Sequence, residues 1–164
     1  MKVILEPWAD HHLDLLKRTN APAMKKHLGG PESEEKILER HERYLTMASG
    51  QMFAVLIVPE REQAGSIGFW ERTWQGETVY ETGWGVLPEF QGRGVAKAAV
   101  AEVIDEARQH GKHRYLHAFP RSANVASNAL CRGAGFQLVG ECDFEFPPGT
   151  VMTSNDWRFD LSSR

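Results

Sequence analysis

Two cysteines, Cys131 and Cys142, are all that 164 residues offer for covalent cross-linking. That is too few for a disulfide framework, and a reducing, cytoplasmic setting is expected. Long apolar runs are missing too. None approaches the roughly 18 residues needed to cross a bilayer, and Glu6 and Pro7 interrupt the opening Met1 to Trp8 before it can serve as a signal peptide. There is no surplus of positive charge: 19 basic side chains against 22 acidic ones leave a formal net charge of -3. Neither nucleic acid nor an anionic membrane is therefore an expected partner. Repeats, low-complexity tracts and long linkers are also absent, so residues 1–164 are expected to form a single domain, long enough to bury a real core.

What is present is an ordered series of short apolar segments. Lys2 to Glu6 reads as a strand, and Leu13, Leu15 and Leu16 mark a short helix over 10–18. A second helix is expected after Pro31, through Ile37, Leu38, Tyr44 and Leu45. Met52 to Val58 is an unbroken apolar run of the buried-strand kind, stopped by Pro59. Gly65 to Trp70 and Thr78 to Leu87 read as two further strands around a turn at Trp74 to Glu77. From Gly92 onward Val95, Ala99, Val103 and Ala107 recur every four residues, the stripe of an amphipathic helix that Gly111 ends. A strand over Arg114 to Phe119, a helix over Asn124 to Arg132, and strands over Phe136 to Phe146 and Met152 to Leu161 complete the series. Such an order predicts an α/β (α+β) sheet covered by helices.

The junction from Gly83 to Ala96 is the least generic part of the chain. The strand Trp84-Gly85-Val86-Leu87 runs through Pro88 into Gln91-Gly92-Arg93-Gly94, and a helix opens at once. Glycines allow a tight turn that points successive N–H groups inward. Those groups are also the unpaired donors at the partially positive end of the helix, a place suited to phosphate or pyrophosphate. A turn of this kind that binds nothing is the alternative reading. No Gly-Lys-Ser/Thr is present to make a Walker loop, and Lys97 stands where a Rossmann fingerprint needs its third glycine.

The spacing Gln91-Gly92-Arg93-Gly94-Val95-Ala96 resembles the signature Gln/Arg-x-x-Gly-x-Gly/Ala of the GNAT acetyltransferase superfamily. Tyr80 to Phe90 is similar to the strand before that loop in the branch containing ribosomal-protein N-acetyltransferases. Asn124-Val125-Ala126-Ser127-Asn128 with Gly135-Phe136 looks like that branch's second cofactor segment. The resemblance implies a mixed central sheet of about seven strands and acetyl-CoA as cosubstrate, with no metal. It implies that backbone groups at Val86 and Leu87 pair with the pantetheine arm, and that Gln91, Gly92, Arg93, Gly94, Val95 and Ala96 hold the pyrophosphate. Asn124 matches an asparagine that bonds the arm, with Ser127 one turn later. Glycines Gly83 and Gly85 fit a strand that something approaches closely.

Glu81 is the candidate general base, since an amine of pKa about 10 must lose a proton before attacking a thioester; a structural ion pair is its alternative. Where the resemblance expects a tyrosine acid, four residues before Gly135-Phe136, this chain has Cys131, read as a small buried packing residue, with an acid or an acyl-carrying nucleophile as the alternatives. His113 and His117, four strand residues and about 13 Å apart, are too distant to share a metal ion. His117 is either a cleft residue or a structural histidine, and His11-His12 read as surface. Glu141, Asp143, Glu145 and Asp156, beside Trp157, are expected either to favour a cationic amine near the final hairpin or to form an exposed face. Trp70, Trp74 and Tyr80 are expected in the core. The implied reaction is direct acetyl transfer to a primary amine, a protein N-terminus or a small molecule. Another acyl-CoA, a hydroxyl acceptor, or acyl-CoA binding without turnover stay open. A homodimer is compatible with the sequence, which does not set the oligomeric state.

Overall fold

The apolar segments hydrogen-bond into one seven-stranded sheet of order β1-β2-β3-β4-β5-β7-β6. The structure is a computed structural model that describes residues 1–26, 29–146 and 148–163. Its strands are β1 (Val3–Pro7), β2 (Gly50–Ile57), β3 (Glu62–Trp74), β4 (Glu77–Val86), β5 (Tyr115–Ala118), β6 (Gln137–Glu145) and β7 (Val151–Asp160). All neighbours run antiparallel except β4 and β5. That one parallel pair requires a crossover, which α3 (Val95–His110) provides. The other helices are α1 (Leu13–Thr19), α2 (Glu34–Leu45) and α4 (Val125–Gly133).

The run Met52 to Ile57 is buried throughout because both faces of β2 are covered. Phe53 and Phe69 stack with ring centroids 6.5 Å apart, and Phe69 and Tyr80 meet His110 of α3 on this same face. The apolar stripe of α3, from Val95 through Ala99 and Val103 to Ala107, is fully buried there. On the opposite face, Met52, Ser66, Trp70, Arg72, Glu81 and Gly83 line a cavity of about 580 Å³ roofed by α1 and α2. Side chains alternate across a strand, so the sequence commits one residue in two to the core and the next to this cavity. Ser33 caps α2 by accepting from the Lys36 N–H. Trp8 then pins the helix by donating its indole N–H to His41 Nδ1 at 3.0 Å, which leaves His41 Nε2 to donate to Asp10.

Several element boundaries differ from the sequence reading. β3 continues past Trp70 to Trp74, because Glu71 to Trp74 pair with β4 although they are not an apolar run. The turn itself is the two residues Gln75-Gly76, both at positive φ, the geometry that matches the twist of a tight hairpin. α3 begins at Val95 rather than Gly92. His12 is not surface: it is fully buried, with Nε2 2.8 Å from Glu6 Oε1, while His11 is exposed as expected. Tyr80 is in the core as expected, but Trp70 and Trp74 are only partly buried.

Asn128 joins α4 to the sheet. Its Oδ1 accepts from Trp157 Nε1 and Asn155 Nδ2, both at 2.8 Å, while its Nδ2 donates to the carbonyls of Arg121 and Asn124. Asn128→Ala strands the buried Trp157 N–H, and its expected cost is about 2 kcal/mol. Urea unfolding of the two proteins measures this, and a loss under about 0.5 kcal/mol would show that the tie does not hold α4.

Candidate active site

The site begins where β4 and β5 separate. They pair only at Tyr80↔Leu116 and Glu81↔His117. On the other side β4 stays in unbroken register with β3 from Glu77 to Val86, so the opening comes from strand divergence and not from a bulge. Backbone groups alternate between the two edges of a strand. Leu87 N–H donates to the Ala64 carbonyl on the β3 side, which turns the polar groups of Trp84 and Val86 toward the gap. The Leu87 carbonyl accepts from Phe90 N–H, so both of its backbone groups are engaged and it has none to offer across the gap. The Val86 carbonyl is taken by Gln91 Nε2 at 2.8 Å, leaving its N–H. Gly83 and Gly85 mark close approach, as expected: a Cβ at either would lie 3.2 Å from Trp70 or Met24.

At the end of β4 the chain makes a 3-10 turn over Pro88–Phe90 and enters the glycine loop. Gly92 and Gly94 have φ of +74° and +84°, a region that favours glycine, and nothing crowds them. Gly94 caps α3, and its carbonyl accepts from Ala98 N–H. The N–H groups of Val95, Ala96 and Lys97 have no intrahelical acceptor and face a helix end of partial positive charge. Gln91, Gly92, Arg93 and Gly94 are exposed, and Arg93 lies over the Phe90 ring at 5.4 Å. The cradle can therefore hold an anion through backbone groups. Gln91 braces the end of β4 with its side chain.

Glu81 stands at the last paired position before the gap, with its side chain 13% exposed and facing the cavity. Burial pushes its carboxyl above the ordinary carboxylate range, against the opposing pull of Arg72, the Trp70 indole and His117. Arg72 Nη1 donates to Glu81 Oε1 at 3.1 Å, and its guanidinium packs 4.2 Å from the centroid of Phe144. His117, beside Glu81 across the β4–β5 pair, is buried with Nδ1 2.6 Å from Asp156 Oδ1. Asp156 Oδ2 accepts from Trp74 Nε1 at 3.0 Å. Neither His117 nor Asp156 lines the cavity. They form a fixed polar support behind Glu81.

Asn124 and Ser127 line the same cavity from α4. Asn124 caps that helix by accepting from Ser127 N–H at 3.2 Å, so its Nδ2 is the group available to a ligand. The six residues Gln91 to Ala96 lie outside the cavity, at the far end of β4. Asp156 points to the buried face, whereas Glu141, Asp143 and Glu145 alternate on the other face of β6 and are exposed. None of the four lines the cavity, which removes the ground for a cation-attracting acidic rim. Cys131 is fully buried, and burial pushes its thiol up to about 12. His113 pairs with Glu71 and His117 with Asp156, so the two histidines serve separate structures. Glu6, His11 and His12 come close enough to suggest a metal site. However, Ala9 N–H donates to His12 Nδ1, which places the proton on Nε2, the atom that would have to bind the metal, and Arg61 already pairs with Glu6.

A family model, the Acetyltransferase (GNAT) domain, matches residues 2–137. This chain belongs to the GNAT acetyltransferase family. No curated protein matches it. Among solved structures, an acetyltransferase (GNAT family) from Bacillus anthracis superposes with a TM-score of 0.81 at 17% identity, over 99% of this chain and 97% of that one. A spermidine N-acetyltransferase from Vibrio cholerae, in complex with CoA and spermine, gives 0.80 at 16%, over 98% and 96%. An acetyl transferase from Salmonella typhimurium that modifies the N-terminal serine of ribosomal protein L7/L12 gives 0.78 at 18%, over 98% and 95%. At these identities the superpositions establish the GNAT fold, seven-stranded mixed sheet included, and no acceptor.

The position of Cys131 yields a test. A thiol held near 12 is almost wholly protonated at pH 8, and thiolate is the reactive form. Iodoacetamide at pH 8 should leave Cys131 unmodified in the folded protein and alkylate it in urea. Cys131→Ala should lose about 1 kcal/mol of stability and keep most of any turnover. Rapid labelling of folded protein, read by mass spectrometry, would place the thiol at the site.

Proposed function

We propose that this GNAT chain transfers the acetyl group of acetyl-CoA directly to a primary amine, with Glu81 as the general base. The observation that carries the reading is the coincidence on β4 of three features. A buried carboxylate of raised pKa sits at the last paired residue, free backbone groups follow at Trp84 and Val86, and an anion cradle follows at Gly92 to Lys97. A long ligand with phosphates at one end and an amide-bearing arm would lie along β4 and bring its acyl end to Glu81. Acetyl-CoA has that form and supplies the activated acyl group. The CoA and spermine bound to the Vibrio cholerae neighbour support the same donor and an amine acceptor.

The work left to the protein is positioning and proton removal. Val86 N–H and the Trp84 backbone would hold the arm, with Asn124 Nδ2 and Ser127 reaching it from α4. Glu81 would take the proton from the attacking amine, directly or through a water. Its raised pKa makes it a better base than a solvated carboxylate. Arg72 fixes its orientation through the hydrogen bond to Oε1.

Two variants test the reading. Glu81→Gln should lower kcat about 100-fold with little change in acetyl-CoA affinity. Activity of the unaltered protein should fall as pH drops through the raised Glu81 pKa, and the variant should lack that limb. Equal kcat across the pH range would remove Glu81 from the chemistry. Gly94→Asp should weaken CoA binding at least tenfold, about 1.4 kcal/mol, and more than Gly94→Asn. Both substituents tolerate positive φ about equally, so the difference reports the added charge at the cradle. Equal affinities would move the phosphates elsewhere.

A further inference from the structure

The cavity in front of Glu81 is electropositive although the chain as a whole carries a formal net charge of -3. Among the described residues Lys25, Arg40, Arg43, Arg72 and Arg121 line it, against the single carboxylate of Glu81. Two of these cations are matched. Arg40 makes two hydrogen bonds to Glu32, at 2.8 and 2.7 Å, and Arg72 bonds Glu81 at 3.1 Å. The other three make no close ion pair among the described residues: Glu32, already bound to Arg40, attracts Lys25 and Arg43 only at longer range, and Arg121 reaches only the Phe146 carbonyl. Unmatched positive charge on a partly desolvated wall is costly. Lys25 shows that cost, since burial and the nearby Arg40 pull its pKa below the ordinary lysine value.

These cations do not belong to the phosphate cradle. No residue from Gln91 to Ala96 lines the cavity, whereas Arg40 and Arg43 project from α2 and Lys25 from the segment before it, on the roof opposite the sheet. We propose that the acceptor is a primary amine carrying an anionic group, a carboxylate or a phosphate, which Arg43 and Lys25 hold while the amine faces Glu81. The proposal rests on the amine-acetylation reading for the identity of the reacting group. The anion subsite itself is independent of turnover. A polycation would meet three unmatched like charges here, each opposing entry. An anionic amine gains charge-assisted hydrogen bonds from the same groups.

The test separates the two claims by using products, which bind without reacting. Protein saturated with CoA is titrated by calorimetry with N-acetylglycine, N-acetyl-β-alanine, N-acetyl-4-aminobutyrate and N-acetylethanolamine phosphate. Each carboxylate is compared with its neutral amide, the phosphate with N-acetylethanolamine, and all with N-acetylputrescine. At least one acid should bind ten times more tightly than its neutral partner and than N-acetylputrescine, and the carboxylate and phosphate arms tell which anion is preferred. Arg43→Glu, an exposed change on α2 whose folding circular dichroism checks, should abolish that preference. No advantage for any acid, tighter binding of N-acetylputrescine, or an unchanged preference in Arg43→Glu overturns the proposal. CoA release with the corresponding free amines is measured in parallel. Acid binding without release of CoA from any amine would sink the transferase reading and leave the anion subsite standing. Acetylation of acidic, neutral and cationic amines alike would do the reverse.

Discussion

The parting of β4 from β5 after two residue pairs is the constraint on which the site depends. A sheet that stayed closed would satisfy every backbone group of β4 internally and leave no edge for a ligand. Here the pairing with β5 stops at Glu81, and the five residues from Thr82 to Val86 continue against β3 alone. The crossover through α3 makes this geometry natural. A parallel neighbour needs a long connection, and the connection leaves β4 by way of the glycine loop. One strand therefore carries the carboxylate, the free backbone edge and the entrance to the anion cradle in a fixed sequence order. Their separations are set by strand rise, about 3.3 Å per residue, and not by loop conformation.

Sequence alone made much of this readable, and the reasons are local. The β4 strand, the Gln91 to Ala96 loop and the α3 stripe are contiguous, so spacing along the chain is spacing in the fold. Glu81 fell within the same stretch. Arg72 was within reach of the same reasoning: a two-residue turn at Gln75-Gly76 sets Trp70 opposite Glu81, and Arg72 diagonal to it on the same face. Which edge Leu87 presents was not legible, because the choice of edge alternates residue by residue and only the bond from its N–H to Ala64 fixes the phase.

Other features had no local signal. Asp156 belongs with His117 and Trp74 across three strands, yet in the sequence it stands closer to Glu141, Asp143 and Glu145. Those three sit on the opposite face of β6 by simple alternation, so an acidic cluster in the sequence is not a cluster in space. The same holds for the basic wall, whose members come from α2, β3 and two loops. His12 looked like surface because a polar dipeptide gives no sign that, of two rings that both reach Glu6, one is buried and the other exposed.

The charge of the cavity also bears on the chemistry. An alkylamine with a pKa of about 10 is about one part in a thousand neutral at pH 7, and the base must overcome that deficit. Positive charge nearby disfavours the ammonium form and so lowers the pKa of a bound amine. In the proposed reaction Lys25, Arg43 and Arg121 would assist deprotonation without touching the proton, and Glu81 would complete it. The same field opposes the binding of a simple cation, which would make the assistance useless if the acceptor had no other means of entry. An anionic group on the acceptor resolves the conflict. It provides the attraction at one end of the molecule while the amine at the other end is held where the neutral form is favoured. Binding and activation would then draw on one arrangement of side chains, with Glu81 as the only carboxylate on the cavity wall among the described residues.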